Sequence, residues 1–151
     1  MWKRPVMIDL QPWPFPERPR VLIELADQDR ALELAASIKR AGYGVGVCRG
    51  PDAKSDPVSR CPLHQFEPCV VVEGADLVFT ALDLEDEECR AVLQGLRTRY
   101  PSKPLVIAAN VSDTLELGDL FAGCTVLPMD APPEQVVEAV VAALPADATP
   151  T

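Results

Sequence analysis

The chain has 151 residues, 48% of them hydrophobic and 25% charged, the length and mix of one globular domain with a full core. Its formal net charge is −9, and its basic residues scatter apart from Lys3-Arg4 and Arg18-Arg20, which argues against binding nucleic acid through phosphate contacts. No apolar run reaches the ~20 residues that cross a bilayer and no apolar h-region follows Lys3 and Arg4, so a cytoplasmic protein without a membrane partner is expected.

Residues 1–19 read as a tail. Pro5, Pro12, Pro14, Pro16 and Pro19 interrupt regular structure, and Trp2, Trp13 and Phe15 sit among them; a stiff aromatic segment of this kind suits docking on this chain or another. The run Arg20–Ala26 predicts a first strand. Asp27 or Asp29 caps the helix that follows, which carries Ala31, Leu34, Ala35 and Ile38 on one face and stops at Gly42. Tyr43–Cys48 predicts the second strand.

Residues 49–73 form a proline-rich insert with a short helix expected at Leu63–Phe66 or Val70–Glu73. A third strand is predicted at Asp76–Leu82, an apolar run without alternation, as in a parallel sheet covered on both faces. Asp83 or Asp86 opens a helix to Tyr100 with Cys89, Val92, Leu93 and Leu96 inward. Pro104–Ala109 is the fourth strand. Ser112 or Asp113 caps a short helix through Leu120, and Gly123 precedes a fifth strand at Cys124–Leu127. The last helix starts at Pro132-Pro133, and residues 146–151 are a tail. Strands alternating with helices over residues 20–145 predict an α/β, flavodoxin-like, doubly wound parallel sheet in the order 2-1-3-4-5.

Five cysteines are present, Cys48, Cys61, Cys69, Cys89 and Cys124. Cys89 and Cys124 read as small buried hydrophobes. Cys48, Cys61 and Cys69, with the single histidine His64, have the ligand types of a zinc or iron–sulfur site. Their spacing, C-x12-C-x2-H-x4-C, lacks the C-x2-C knuckle. Three readings stay open: reduced thiols that pack, a disulfide or redox pair, and a metal or cluster. The sequence has no glycine-rich phosphate loop and no G-x-S-x-G elbow.

The segments R-V-L-I-E-L-A-D-Q-D, A-D-L-V-F-T-A, K-P-L-V-I-A-A-N and M-D-A-P-P-E-Q-V-V-E-A-V resemble the strand and helix starts of receiver domains of bacterial response regulators, the CheY-like family. The resemblance covers residues 20–145 except the cysteine region. It implies signalling, and it places the family's acidic metal pair on Leu25 and Ala26. The phospho-accepting position falls on Ala81, the hydroxyl position on Ala109 and the lysine position on Leu127. All five are apolar, so the expectation is a degenerate pseudo-receiver, not an enzyme, with no cofactor. Asp27 and Asp83 read as helix caps. No output domain is expected beyond the last helix, so a signal passes through contacts. The resemblance implies a protein partner or a homodimer through the face formed by Asp113–Leu120 and Cys124–Ala143, with Met129 and Val137 as contacts. A thiol-based sensor or metal-binding protein is the alternative.

Overall fold

A computed structural model describes residues 19–48, 62–65 and 68–145, with the side chains of His64 and Gln65 excepted. Five strands build one parallel sheet in the order β2-β1-β3-β4-β5: β1 Arg20–Glu24, β2 Gly44–Cys48, β3 Leu77–Thr80, β4 Leu105–Ala109 and β5 Thr125–Pro128. The helices are α1 Gln28–Arg40, α2 Val70–Glu73, α3 Glu87–Arg99, α4 Val111–Glu116 and α5 Pro133–Ala143, with 3-10 turns at Pro62–Gln65 and Gly118–Phe121. This is the flavodoxin-like, doubly wound arrangement that the apolar runs predict.

Side chains alternate between two cores because the strand repeat is two residues. Val21, Ile23, Phe79, Val106 and Ala108 pack with Leu34 and Ile38 of α1 and with Val136 and Val140 of α5. Leu22, Val78, Leu105 and Ile107 pack on the opposite side with Val92, Leu93 and Leu96 of α3. Each fully buried Leu, Ile or Phe contributes about 1.5–3 kcal/mol, and the central strands β1, β3 and β4 share these side chains with the helices packed on them.

Local chemistry sets the ends of the elements. Asp27 caps α1, accepting from the Arg30 N–H at 3.2 Å. Asp86 caps α3, accepting from the Glu88 N–H at 2.8 Å. Asp83 lies ahead of α3 and accepts from the Glu85 N–H at 3.1 Å. Gly42, at φ 104°, and Gly123, at φ 77°, take the left-handed conformation that lets the chain turn into β2 and β5.

Several boundaries differ from those read off the sequence. The first and third strands end at Glu24 and Thr80, before Ala26 and Leu82, because the chain there turns toward the caps of α1 and α3. Asn110, not Ser112 or Asp113, precedes the fourth helix, and Asp113 lies buried within its first turn. That helix ends at Glu116, and Gly118 opens a 3-10 turn that supplies the rest of the span to Phe121. Strand β5 begins one residue late, so Cys124 stands before it. Within the insert, a 3-10 turn forms at Pro62–Gln65 and a helical turn at Val70–Glu73; Phe66 and the tails lie outside the described residues.

Candidate functional site

A parallel sheet of this kind offers its ligand crevice at the carboxyl ends of the strands, where the order reverses between β1 and β3. Three residues meet there in register. Glu24, the last residue of β1, pairs with Cys48 of β2 on one side and with Thr80 of β3 on the other. In parallel strands such partners project to the same face, and Cys48 packs with the α3-side core. Thr80 in turn pairs with Ile107 of that core.

Glu24 is 2% exposed. Burial raises its pKa to about 7, and the one side-chain hydrogen bond it receives, from Thr80, lowers it only in part. Among the described residues its Oε1 has no hydrogen-bond partner. A carboxylate taken out of water without an ion partner is costly, so the group takes up a proton instead. At neutral pH Glu24 is poised between its two states, with Thr80 as the donor that favours the charged one.

The insert covers this row. Cys69 and Val72 pack into the same core as Cys48. The Cys69 N–H donates to the Tyr100 hydroxyl at 2.9 Å, and that hydroxyl donates to Glu73 Oε2 at 2.8 Å. Leu63 is fully buried because α3 carries glycine opposite it: a Cβ on Gly95 would stand 2.4 Å from the Leu63 carbonyl oxygen. Burial is also the first cause that pushes the Cys69 thiol up, with the carboxylates of Glu24 and Glu73 adding to it. The thiolate, which oxidation and metal binding both require, is therefore disfavoured.

The positions that the resemblance singled out are apolar and enclosed. Leu25, Ala81 and Leu127 lie in the α1/α5 core, Ala109 in the α3 core, and Ala26 is half-buried. The acids on either side of them, Asp27 and Asp83, are engaged with backbone N–H groups. Met129 and Val137 are half-buried and pack against the α1/α5 core. Of the four candidate metal or redox residues, Cys48 and Cys69 come together in one core; Cys61 and the His64 side chain lie outside the described residues. Among the described residues no three His, Cys, Asp or Glu side chains are arranged to hold a metal ion, and no disulfide joins any of Cys48, Cys69, Cys89 and Cys124.

Glu24 and Thr80 were not singled out in the sequence. The signal was present: an acid inside the apolar run V-L-I-E-L, two residues after Leu22 and therefore on its face. Asp113, whose Oδ2 is buried with no hydrogen-bond partner among the described residues, is a second such acid. No helix of the described residues is long and apolar enough to cross a membrane.

Comparison with known proteins gives the fold its context. No protein-family model matches the chain, and no curated protein matches it at a significant level. Solved structures do. A response regulator from Thermotoga maritima superposes with a TM-score of 0.56 at 18% identity, covering 83% of this chain and 97% of that one. The chemotaxis protein CheY4 of Vibrio cholerae gives 0.60 at 13% identity, over 84% and 99%. A member of a family of redox sensors in the streptococci, described as evolved from two-component response regulators, gives 0.59 at 14% identity, over 83% of this chain and 50% of that one. The fold is that of response-regulator receiver domains.

Proposed function

We propose that this chain is a receiver-like signalling module that acts through protein contacts and transfers no phosphoryl group. The observation that carries the reading is the character of the strand ends. On the resemblance, Leu25, Ala26, Ala81, Ala109 and Leu127 fall where that chemistry needs carboxylates, a hydroxyl and an ammonium group, and all five are apolar. A hard divalent cation requires oxygen ligands, and an acyl phosphate requires an accessible carboxylate. Glu24, the carboxyl that ends β1, lies on the α3 side of the sheet and is shut away from solvent. Asp27 and Asp83 hold helix and turn backbone.

Titrating the full chain with Mg²⁺ while recording amide chemical shifts tests this directly. The expected outcome is no saturable shift at Leu25, Ala26, Ala81 or Asp83. Saturable shifts converging on those residues overturn the reading.

A thiol-based sensor is the second reading, favoured by the placement of Cys48 and Cys69 in one core beside Glu24. In that role peroxide would oxidise the two thiols to a disulfide and be reduced to water; with Cys61 and His64 the same thiols would supply zinc or iron–sulfur ligands. The raised Cys69 thiol weighs against both, and the reading requires loss of two free thiols on mild peroxide treatment.

A further inference from the structure

The two edges of the sheet are β2 and β5, and they differ. Strand β5 is four residues long and ends on Pro128, which has no N–H to offer a neighbour. Strand β2 reads Gly-Val-Gly-Val-Cys. It carries none of the devices that blunt an edge, which are charged side chains, proline and bulges. In a chain of net charge −9, the whole stretch from Ala41 to Cys48 is uncharged.

The register fixes which backbone groups of β2 face outward. The Gly44 N–H donates to the Pro19 carbonyl at 3.0 Å, and the Cys48 carbonyl accepts from the Leu25 N–H at 2.9 Å. Successive residues of a strand alternate, so Gly44, Gly46 and Cys48 turn their N–H and C=O groups toward β1. Val45 and Val47 turn theirs away from it, to the side where no strand of the described residues pairs. The valine side chains lie on the α1/α5 side of the sheet: Val45 packs on that core, and Val47, two residues on, is 46% exposed. The glycines bring no side chain to the edge.

We infer that β2 pairs with β2 of a second copy, antiparallel about a twofold axis at Gly46, so that one sheet runs through both copies. A twofold interface sets a surface against itself, and Val-Gly-Val reads the same in either direction. With the two Gly46 residues opposite each other, Val45 of each copy faces Val47 of the other. Each such pair exchanges two N–H···O=C bonds through the groups that point outward. The central glycines form the non-bonded kind of pair, in which the strands come closest, to a Cα separation of about 4.5 Å, and no Cβ stands between them. The valine opposite covers Val47, and nothing within the strand sets acid against acid. A foreign peptide added to a sheet edge is selected through pockets for its alternate side chains, which glycine and valine do not supply. The inference goes beyond the function proposed above and does not depend on it: Mg²⁺ binding at the strand ends would sink that reading and leave this edge untouched.

Sedimentation velocity of the full chain over a range of concentrations is expected to show a monomer–dimer equilibrium. Val47→Pro is the decisive variant. It deletes one outward N–H and leaves the bonds to β1 in place, since an edge strand tolerates proline where the N–H faces solvent. It is expected to abolish the dimer while circular dichroism stays that of the parent. Val47→Lys charges the edge and is expected to abolish the dimer as well; it decides the matter should the proline variant fail to fold. Amide hydrogen exchange supplies a second readout. Val45 and Val47 are expected to exchange at least about tenfold more slowly at high protein concentration than at low, whereas Gly46, bonded to β1 in monomer and dimer alike, changes little.

A monomer at every concentration overturns the inference. So does a dimer that persists in folded Val47→Pro and Val47→Lys, which places self-association on another surface. Slow exchange at Val45 and Val47 in a monomer, independent of concentration, assigns the edge to a segment of the same chain, among residues 1–18 or 49–61, and overturns it too.

Discussion

Glu24 sets the acid–base behaviour of this molecule at the scale of a single residue. Its pKa rises from 4.5 in the unfolded chain to about 7 in the folded one. Between those values the folded state holds a proton that the unfolded state has released. Its stabilising contribution is therefore fully present below pH 4.5 and is lost as the pH rises through 7. The loss amounts to about 3 kcal/mol, from a shift of about 2.5 units at 1.36 kcal/mol each. Glu24→Gln keeps the shape and removes the titration. Denaturant unfolding from pH 4.5 to 8 should show the variant matching the parent in acid and exceeding it by about 3 kcal/mol at pH 8. Parallel curves for the two proteins would show that Glu24 does not titrate in this range. Thr80→Val removes the donor that lowers the Glu24 pKa, so its pH-dependent loss should start from the same pH as in the parent, run on to a higher pH and be larger.

At the scale of elements, the described part of the insert meets α3 at a close contact with Gly95 and at the Tyr100 hydroxyl. Leu63 enters the α3 core because Gly95 leaves room for its carbonyl. Gly95→Ala should therefore push the Pro62–Gln65 turn off α3, at a cost of about 1–3 kcal/mol as for other overpacked sites. Leu63→Ala keeps the backbone approach and leaves a cavity, costing about 2–5 kcal/mol. Tyr100→Phe removes the hydroxyl shared by Cys69 and Glu73 and should cost about 1 kcal/mol. Gly95→Ala and Tyr100→Phe both loosen the cover over Cys48 and Cys69. Labelling with a thiol reagent at pH 7 should then be faster at those two cysteines than in the parent, and unchanged at Cys89, which α3 buries. Unchanged labelling at Cys48 and Cys69 would mean that the insert does not shield them.

Across the whole molecule, the sequence made the sheet order and the helix faces readable, because each rests on a local pattern. Continuous apolar runs mark buried parallel strands, and Ala31, Leu34, Ala35 and Ile38 mark the inner face of α1. Capping was readable in part: Asp27 and Asp86 were each one of two candidates, while Asp83, also read as a cap, stands before the N-cap of α3. The site was less so. Leu25, Ala26, Ala81, Ala109 and Leu127 are readable as apolar strand ends from the local pattern, whereas the Cys48–Glu24–Thr80 row exists only once three strands are in register. The docking of Leu63 on Gly95 was not legible, because nothing local tells a packing glycine in a helix from a tolerated one. Asp113 looked like a cap because its position relative to Asn110 is a matter of one helical turn.

The proposal that this receiver-like scaffold transfers no phosphoryl group is tested by intact-mass spectrometry after incubation with Mg²⁺ and a small phosphodonor such as acetyl phosphate. The expected result is an unmodified mass under conditions that phosphorylate an active receiver domain run alongside. An acid-stable, base-labile phosphoryl adduct mapping to Asp27 or Asp83 would contradict it.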